Sequence, residues 1–173
     1  MKKFLLLALC LALLSGCAAQ SVWETVDDEL PAIPAGGMED AYLVSIDVPD
    51  DAVAAAGSDD GASTCYEQPE GDYEISVQTL LCSGADSAVR RLSGFEPEQL
   101  DVLRTTRFGL PEYQFAWYAS GDEGGRLCRA DVLCDWPYSY TVTFSVREEC
   151  AAAYQAAAQQ VFESICLNAP SGF

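Results

Sequence analysis

The sequence predicts an α+β domain: an antiparallel meander sheet covered on one face by a C-terminal helix, with one short additional helix. Three observations carry this. Residues 100–144 alternate apolar and polar side chains in four runs broken by turn residues at 108–111, 121–125 and 135–137. Residues 145–164 change to a helical spacing rich in alanine. The stretch 41–168 is long enough to bury one core, so a single globular domain is expected there.

Ahead of that domain, Lys2 and Lys3 give a positive start, Phe4 to Leu14 is an almost unbroken apolar run, and Leu14-Ser15-Gly16 ends it with small residues before Cys17. The run is shorter than the roughly 20 apolar residues that a membrane span needs, which makes residues 1–16 an export signal. Leu14-Ser15-Gly16-Cys17 resembles the lipobox of bacterial lipoproteins. The resemblance implies that the Cys17 thiol receives a diacylglyceryl group and that cleavage leaves Cys17 as the first mature residue. The protein is then held on the extracytoplasmic face of the cell membrane, or within a periplasm, through that lipid. Residues 17–40 are acidic, with two prolines and a glycine pair, and read as a tether. About 23 extended residues reach at most roughly 80 Å.

Within the domain, Tyr42 to Val48 is rich in β-formers, and Pro49-Asp50-Asp51 ends it. Residues 52–63 are small and acidic and read as a loop or short helical turn. Ser63–Tyr66 and Tyr73–Leu81 form a hairpin around Gln68-Pro69-Glu70-Gly71. Asp86–Leu92, between Gly84 and Gly94, places Ala88, Val89 and Leu92 at helical spacing and reads as the short helix. The meander strands are Leu100–Arg107, Glu112–Ser120, Arg126–Cys134 and Tyr138–Phe144. Along them Tyr113, Phe115, Trp117 and Ala119 share one face, as do Cys128, Ala130, Val132 and Cys134, and likewise Tyr138, Tyr140, Val142 and Phe144. Ser145 followed by Glu148 has the spacing of a capping box, predicting a helix from there to about Ser164. Its apolar stripe is Tyr154, Ala158, Val161, Phe162 and Ile165. The end of the chain from Leu167 to Phe173, with a tail at 169–173 beyond the domain, is expected to fray.

The helix closed by Gly94, the aromatic strand Tyr113 to Trp117, the hairpin at Glu123-Gly124, the Arg129-Ala130 and Tyr140 strands and a last helix with Phe162 and Ser164 together resemble the PsbP-like α/β fold. That fold is also found in small bacterial lipoproteins, and the resemblance spans about Cys82 to Leu167. No ligand residue of the photosynthetic members is matched.

Composition narrows function. Both lysines lie in the signal, so the mature chain holds seven arginines, no lysine and no histidine against 27 acidic residues, a formal balance of 7 − 27 = −20. Nucleic acid is excluded as a partner, because its affinity rests on basic side chains that neutralise phosphates. Anionic lipid surfaces repel such a domain. Without histidine, Ser-His-Asp and Cys-His catalysis and histidine-containing zinc sites are absent, and no nucleophile elbow or phosphate-binding glycine loop occurs. No catalytic residue and no cofactor is therefore expected. The chain reads as a non-enzymatic binding or assembly module whose partner is an envelope protein or small ligand. The alternatives are a small carboxylate-based hydrolase, since paired carboxylates are the catalytic type left, and a calcium-binding surface domain. Weak calcium candidates are Asp47, Asp50 and Asp51, Asp59 with Asp60, and Asp122 with Glu123, none of which follows an EF-hand loop. The aromatic set Tyr113, Phe115, Trp117, Tyr138, Tyr140 and Phe144 reads as core more readily than as a pocket lining.

Of the cysteines, Cys10 leaves with the signal and Cys17 takes the lipid. Cys65, Cys82, Cys128, Cys134, Cys150 and Cys166 remain, an even count that in an exported chain favours disulfides. From Cys128 to Cys134 is about 20 Å of strand, and from Cys150 to Cys166 about 24 Å of helix. If the helix covers the face bearing Cys128 and Cys134, the matched spans predict Cys128–Cys150 and Cys134–Cys166, leaving Cys65–Cys82 by elimination.

Overall fold

The protein was analysed as a computed structural model, which describes residues 38, 40–57, 62–82, 84–121 and 124–169. The export signal, Cys17, most of the tether, Asp59, Asp60, Asp122, Glu123 and residues 170–173 lie outside them.

The strands are β1 (Leu43–Ser45), β2 (Val53–Gly57), β3 (Ser63–Glu67), β4 (Tyr73–Leu81), β5 (Leu103–Arg107), β6 (Leu110–Gly121), β7 (Gly124–Asp135), β8 (Tyr138–Arg147) and β9 (Cys166–Asn168); the helices are α1 (Ala85–Ser93) and α2 (Gln155–Glu163). Seven strands form one antiparallel sheet in the order β2-β3-β4-β8-β7-β6-β5, while β1 pairs with β9 in a separate ribbon. The α+β class thus holds, with far more sheet than helix.

Both faces of the sheet are buried, where one was expected. Each strand alternates as its sequence predicts, but the register sets Val132 opposite Thr141 and Cys128 opposite Ser145. The row from Cys128 to Cys134 therefore points away from the row from Tyr138 to Phe144. On the first face Leu80, Phe115, Ala130 and Val132 close over Ala88 and Val89 of α1. On the second, Tyr73, Ile75, Tyr140, Val142 and Phe144 pack on Val161, Phe162 and Ile165 of α2 and its end. Because α1 covers the first face, Ser139 and Thr141 of β8 are buried although polar; the Thr141 hydroxyl donates to the Gln78 carbonyl at 3.3 Å.

The C-terminal helix is shorter than the capping-box spacing suggested. Ser145 and Val146 stay in β8, where Val146 is buried between Tyr73 and Leu127 and the Arg147 N–H donates to the Asp72 carbonyl at 2.9 Å. A 3-10 turn at Glu148–Cys150 follows, and α2 begins only at Gln155. Ladder pairing and burial of Val146 outweigh one cap, whose usual worth is about 1 kcal/mol. The small-residue stretch after Ala52 forms β2, paired to β3 across an irregularity between Ala54 and Ala56, and Leu167, placed in the frayed end, is held in β9 opposite Val44.

Candidate functional site

The sheet is wider than α2, so one helix cannot cover the second face. Beside α2 a groove of about 660 Å³ opens over the ends of Phe144 and Val146, walled by Ala158 and Phe162 and bordered by Arg107 and Arg129. An adjoining apolar recess of about 370 Å³ is bounded by Trp117 and Leu127 and shares Arg129, Phe144, Val146 and Ala158 with it.

The two arginines belong to a network beneath the groove. Arg107, last residue of β5, brings Nε to 2.9 Å from Glu112 Oε1 and Nη2 to 3.6 Å from Asp131 Oδ2, and its Nη1 donates to the Phe162 carbonyl at 2.8 Å. That carbonyl is one of the last in α2, which lacks an intrahelical partner, so the guanidinium caps the helix where a cation suits its dipole. Arg129 donates from Nη2 to Asp131 Oδ1 at 3.2 Å and lies 4.0 Å from the centre of the Phe162 ring. Asp131 is fully buried and also accepts from Gln114 Nε2 at 3.3 Å. Burial pushes its carboxyl above the usual carboxylate range, against the pull of Arg129. Glu112 is buried too, and its Oε1 meets Arg107 as an ion pair without hydrogen-bond alignment. Two carboxylates and two guanidiniums balance in charge; the arginines line the groove, Glu112 and Asp131 do not, and Glu163 of α2 is the carboxylate in its lining.

Sequence reasoning missed this network. Alternation hid it: Asp131 falls on the side of its strand away from the row Cys128 to Cys134, where a polar residue reads as solvent-facing, and the fold buries that side too.

The sequence-derived candidates are scattered. Asp51 accepts from the Tyr73 hydroxyl at 2.6 Å, and the Asp47 N–H donates to Ser164 Oγ at 2.8 Å. Among the described residues, no three carboxylate, thiol or imidazole groups gather so as to hold a metal ion. Of the aromatic set, Phe115, Tyr138, Tyr140 and Phe144 are buried, and Phe144 and Trp117 also border the groove and its recess.

All six described cysteines are free thiols, and the expected pairings do not fit the fold. Cys128 and Cys134 lie on the α1 face, whereas Cys150 packs against the core under α2. Cys166 is in the outer ribbon. Cys65 faces Ser76, six residues from Cys82 along β4, or about 20 Å, where a disulfide requires Cα atoms within roughly 7 Å. Burial raises Cys82, Cys128 and Cys134, and burial with a hydrogen bond to Glu74 pushes Cys65 up to about 12, so none of these four is a poised nucleophile.

Neither a family model nor a curated protein matches the chain in sequence. Solved structures do. Cyanobacterial PsbP (CyanoP) from Synechocystis sp. PCC 6803 aligns with a TM-score of 0.51 at 14% identity, over 80% of this chain and 99% of that one. LpqN from Mycobacterium tuberculosis, described as involved in cell envelope biogenesis, aligns with a TM-score of 0.50 at 13% identity, over 75% and 85%. A protein from Bacteroides thetaiotaomicron aligns with a TM-score of 0.51 at 8% identity, over 76% of this chain and 49% of that one. At such identities the likeness is one of fold, and that fold is PsbP-like.

Proposed function

We propose that the mature chain is a lipid-anchored extracytoplasmic module that binds a small ligand or a segment of an envelope protein in the groove beside α2, and that it is not an enzyme. The observation that carries this is the groove itself: an apolar floor of Phe144 and Val146 with a half-exposed arginine at its border. Arg129 commits Nη2 to Asp131, and its other N–H groups are the ones a ligand carboxylate or phosphate would meet. The raised thiols and the lack of histidine leave no nucleophile–base pair. The anchor rests on Leu14-Ser15-Gly16-Cys17 after the apolar run, and the fold shared with LpqN, a protein involved in cell envelope biogenesis, supports the setting by analogy alone.

The test is a pull-down from membranes with the native lipidated protein, set against Ala158→Arg, which fills the groove from the wall that α2 forms. A partner held by the wild type should be lost from a variant that melts at the same temperature; retention of every partner would sink the groove as the binding site. Intact mass decides the anchor: Cys17→Ser should lose the acyl mass and leave the membrane fraction.

One observation favours the hydrolase alternative. Glu112 and Asp131 are buried side by side, as an acid and base of that kind would be. Their pairing with Arg107 and Arg129 and their absence from the groove wall make them supports for the arginines. Turnover of a glycoside that is abolished by Asp131→Asn would reverse this assignment.

A further inference from the structure

We infer that the end of the sheet carrying the β5–β6 and β7–β8 turns is a bilayer-contacting end, with Trp136 and Phe108 as the side chains that enter the lipid–water interface. This rests on the lipid-anchored reading above. Trp136, at the β7–β8 turn, is 77% exposed, and Phe108, at the β5–β6 turn, is 56% exposed. β6 and β7 are neighbours, so the two turns sit side by side at one end of the sheet.

Phe108 is not there to make its turn. Phe108 and Gly109 have φ of 56° and 80°, the backbone of a two-residue hairpin turn in which asparagine is favoured at the first position. A bulky aromatic residue is disfavoured in that region of backbone space, and here its ring also faces solvent. An apolar medium for the ring to enter removes the second cost and offsets the first. Interfacial aromatic residues, tryptophan above all, take that position at membrane surfaces.

The path of the chain supplies the orientation. The Tyr42 N–H donates to the Tyr140 hydroxyl at 3.1 Å, and Ala41 packs in the core with Tyr138 and Leu81, at the strand ends beside the Trp136 turn. From Cys17 to Met38 is 21 residue-to-residue steps, a reach of at most about 70 Å, and the chain joins the domain at this end. Tethering raises the local concentration of the domain at the bilayer to about the millimolar range, so two aromatic contacts too weak to bind membranes alone suffice. The opposite end carries the exposed Glu70, Glu148 and Glu149, while Asp40 beside Ala41 lies at this end. Asp135 is the carboxylate next to Trp136, and it directs the contact toward zwitterionic rather than anionic lipid.

The experiment uses the acylated protein in phosphatidylcholine vesicles containing brominated phosphatidylcholine, in a Trp23→Phe background so that Trp117 and Trp136 remain as fluorophores. Wild-type fluorescence should be quenched, and Trp136→Phe should remove most of that quenching. Phe108→Asn should reduce it several-fold while raising the melting temperature, a combination that a purely structural role for Phe108 does not give. Quenching equal in Trp136→Phe and its parent, or none at all in protein shown by mass to be acylated, overturns the inference. If the mass shows no lipid, the anchored reading fails by itself, and the unacylated chain at millimolar brominated lipid still decides: quenching that depends on Trp136 supports the contact, and its absence ends it.

Discussion

Asp131 and Asp72 are both paired with arginine, yet their surroundings move them in opposite directions, and acid stability should show it. Asp72 accepts from the Arg147 guanidinium and, at 3.0 Å, from the Tyr154 hydroxyl, and the Arg147 bond holds its carboxyl below the usual range against an opposing cost of burial. A carboxylate lowered on folding contributes stability that is present above its unfolded pKa of about 3.9 and is lost as the pH falls through its lower folded value. Asp131, raised by burial, has the reverse sign: the proton it takes up favours the folded state, and that contribution disappears as the pH rises through its folded value. Asp72→Asn should therefore melt below wild type at pH 7, with the difference shrinking toward pH 2.5. A gap of constant size across thermal scans in that range would show that Asp72 acts by shape and not by charge.

At the scale of elements, α2 is a nine-residue helix, too short to hold itself in water, so its packing makes it. Phe162 is the main contact: nearly buried, under the Arg129 guanidinium, with its carbonyl capped by Arg107. Phe162→Ala should cost about 3–5 kcal/mol and, by freeing Arg129, also weaken any ligand held in the groove; chemical denaturation gives the first and the pull-down the second. The stripe that includes Phe162 was legible in the sequence because helical spacing survives any context. The start of the helix was not, since Ser145 satisfies the cap spacing but its neighbour Val146 has a strand partner on each side. The same limit explains the cysteines. Alternation places Cys128 and Cys134 on one face of their strand, but which helix meets that face depends on a register no local pattern contains. The groove was illegible for a related reason, as it is the space left where a short helix fails to cover a wide sheet. Glu112 and Asp131 beneath it gave no sign either, since both fall on the side of their strands that alternation leaves to solvent.

For the molecule as a whole, charge is the dominant fact. A formal net charge of −18 means that carboxylates repel one another across the surface, and the seven arginines are largely spent in local pairs such as Arg147 with Asp72 and Arg107 with Glu112. Repulsion between exposed charges is long-ranged and is screened over about 10 Å at 0.1 M salt, whereas the pairs around Asp131 are buried and screened much less. Added salt should therefore remove more repulsion than attraction, and the melting temperature should rise between 10 mM and 0.5 M sodium chloride. Bound calcium would raise it as well, so the two effects are separable only at matched ionic strength. With the surface-charge account alone, millimolar calcium and magnesium give the same shift and calorimetry records no binding heat. A shift specific to calcium, removed by Asp51→Asn or by neutralising Asp122 and Glu123, would instead establish the acidic turns as a cation site and restore the calcium-binding alternative.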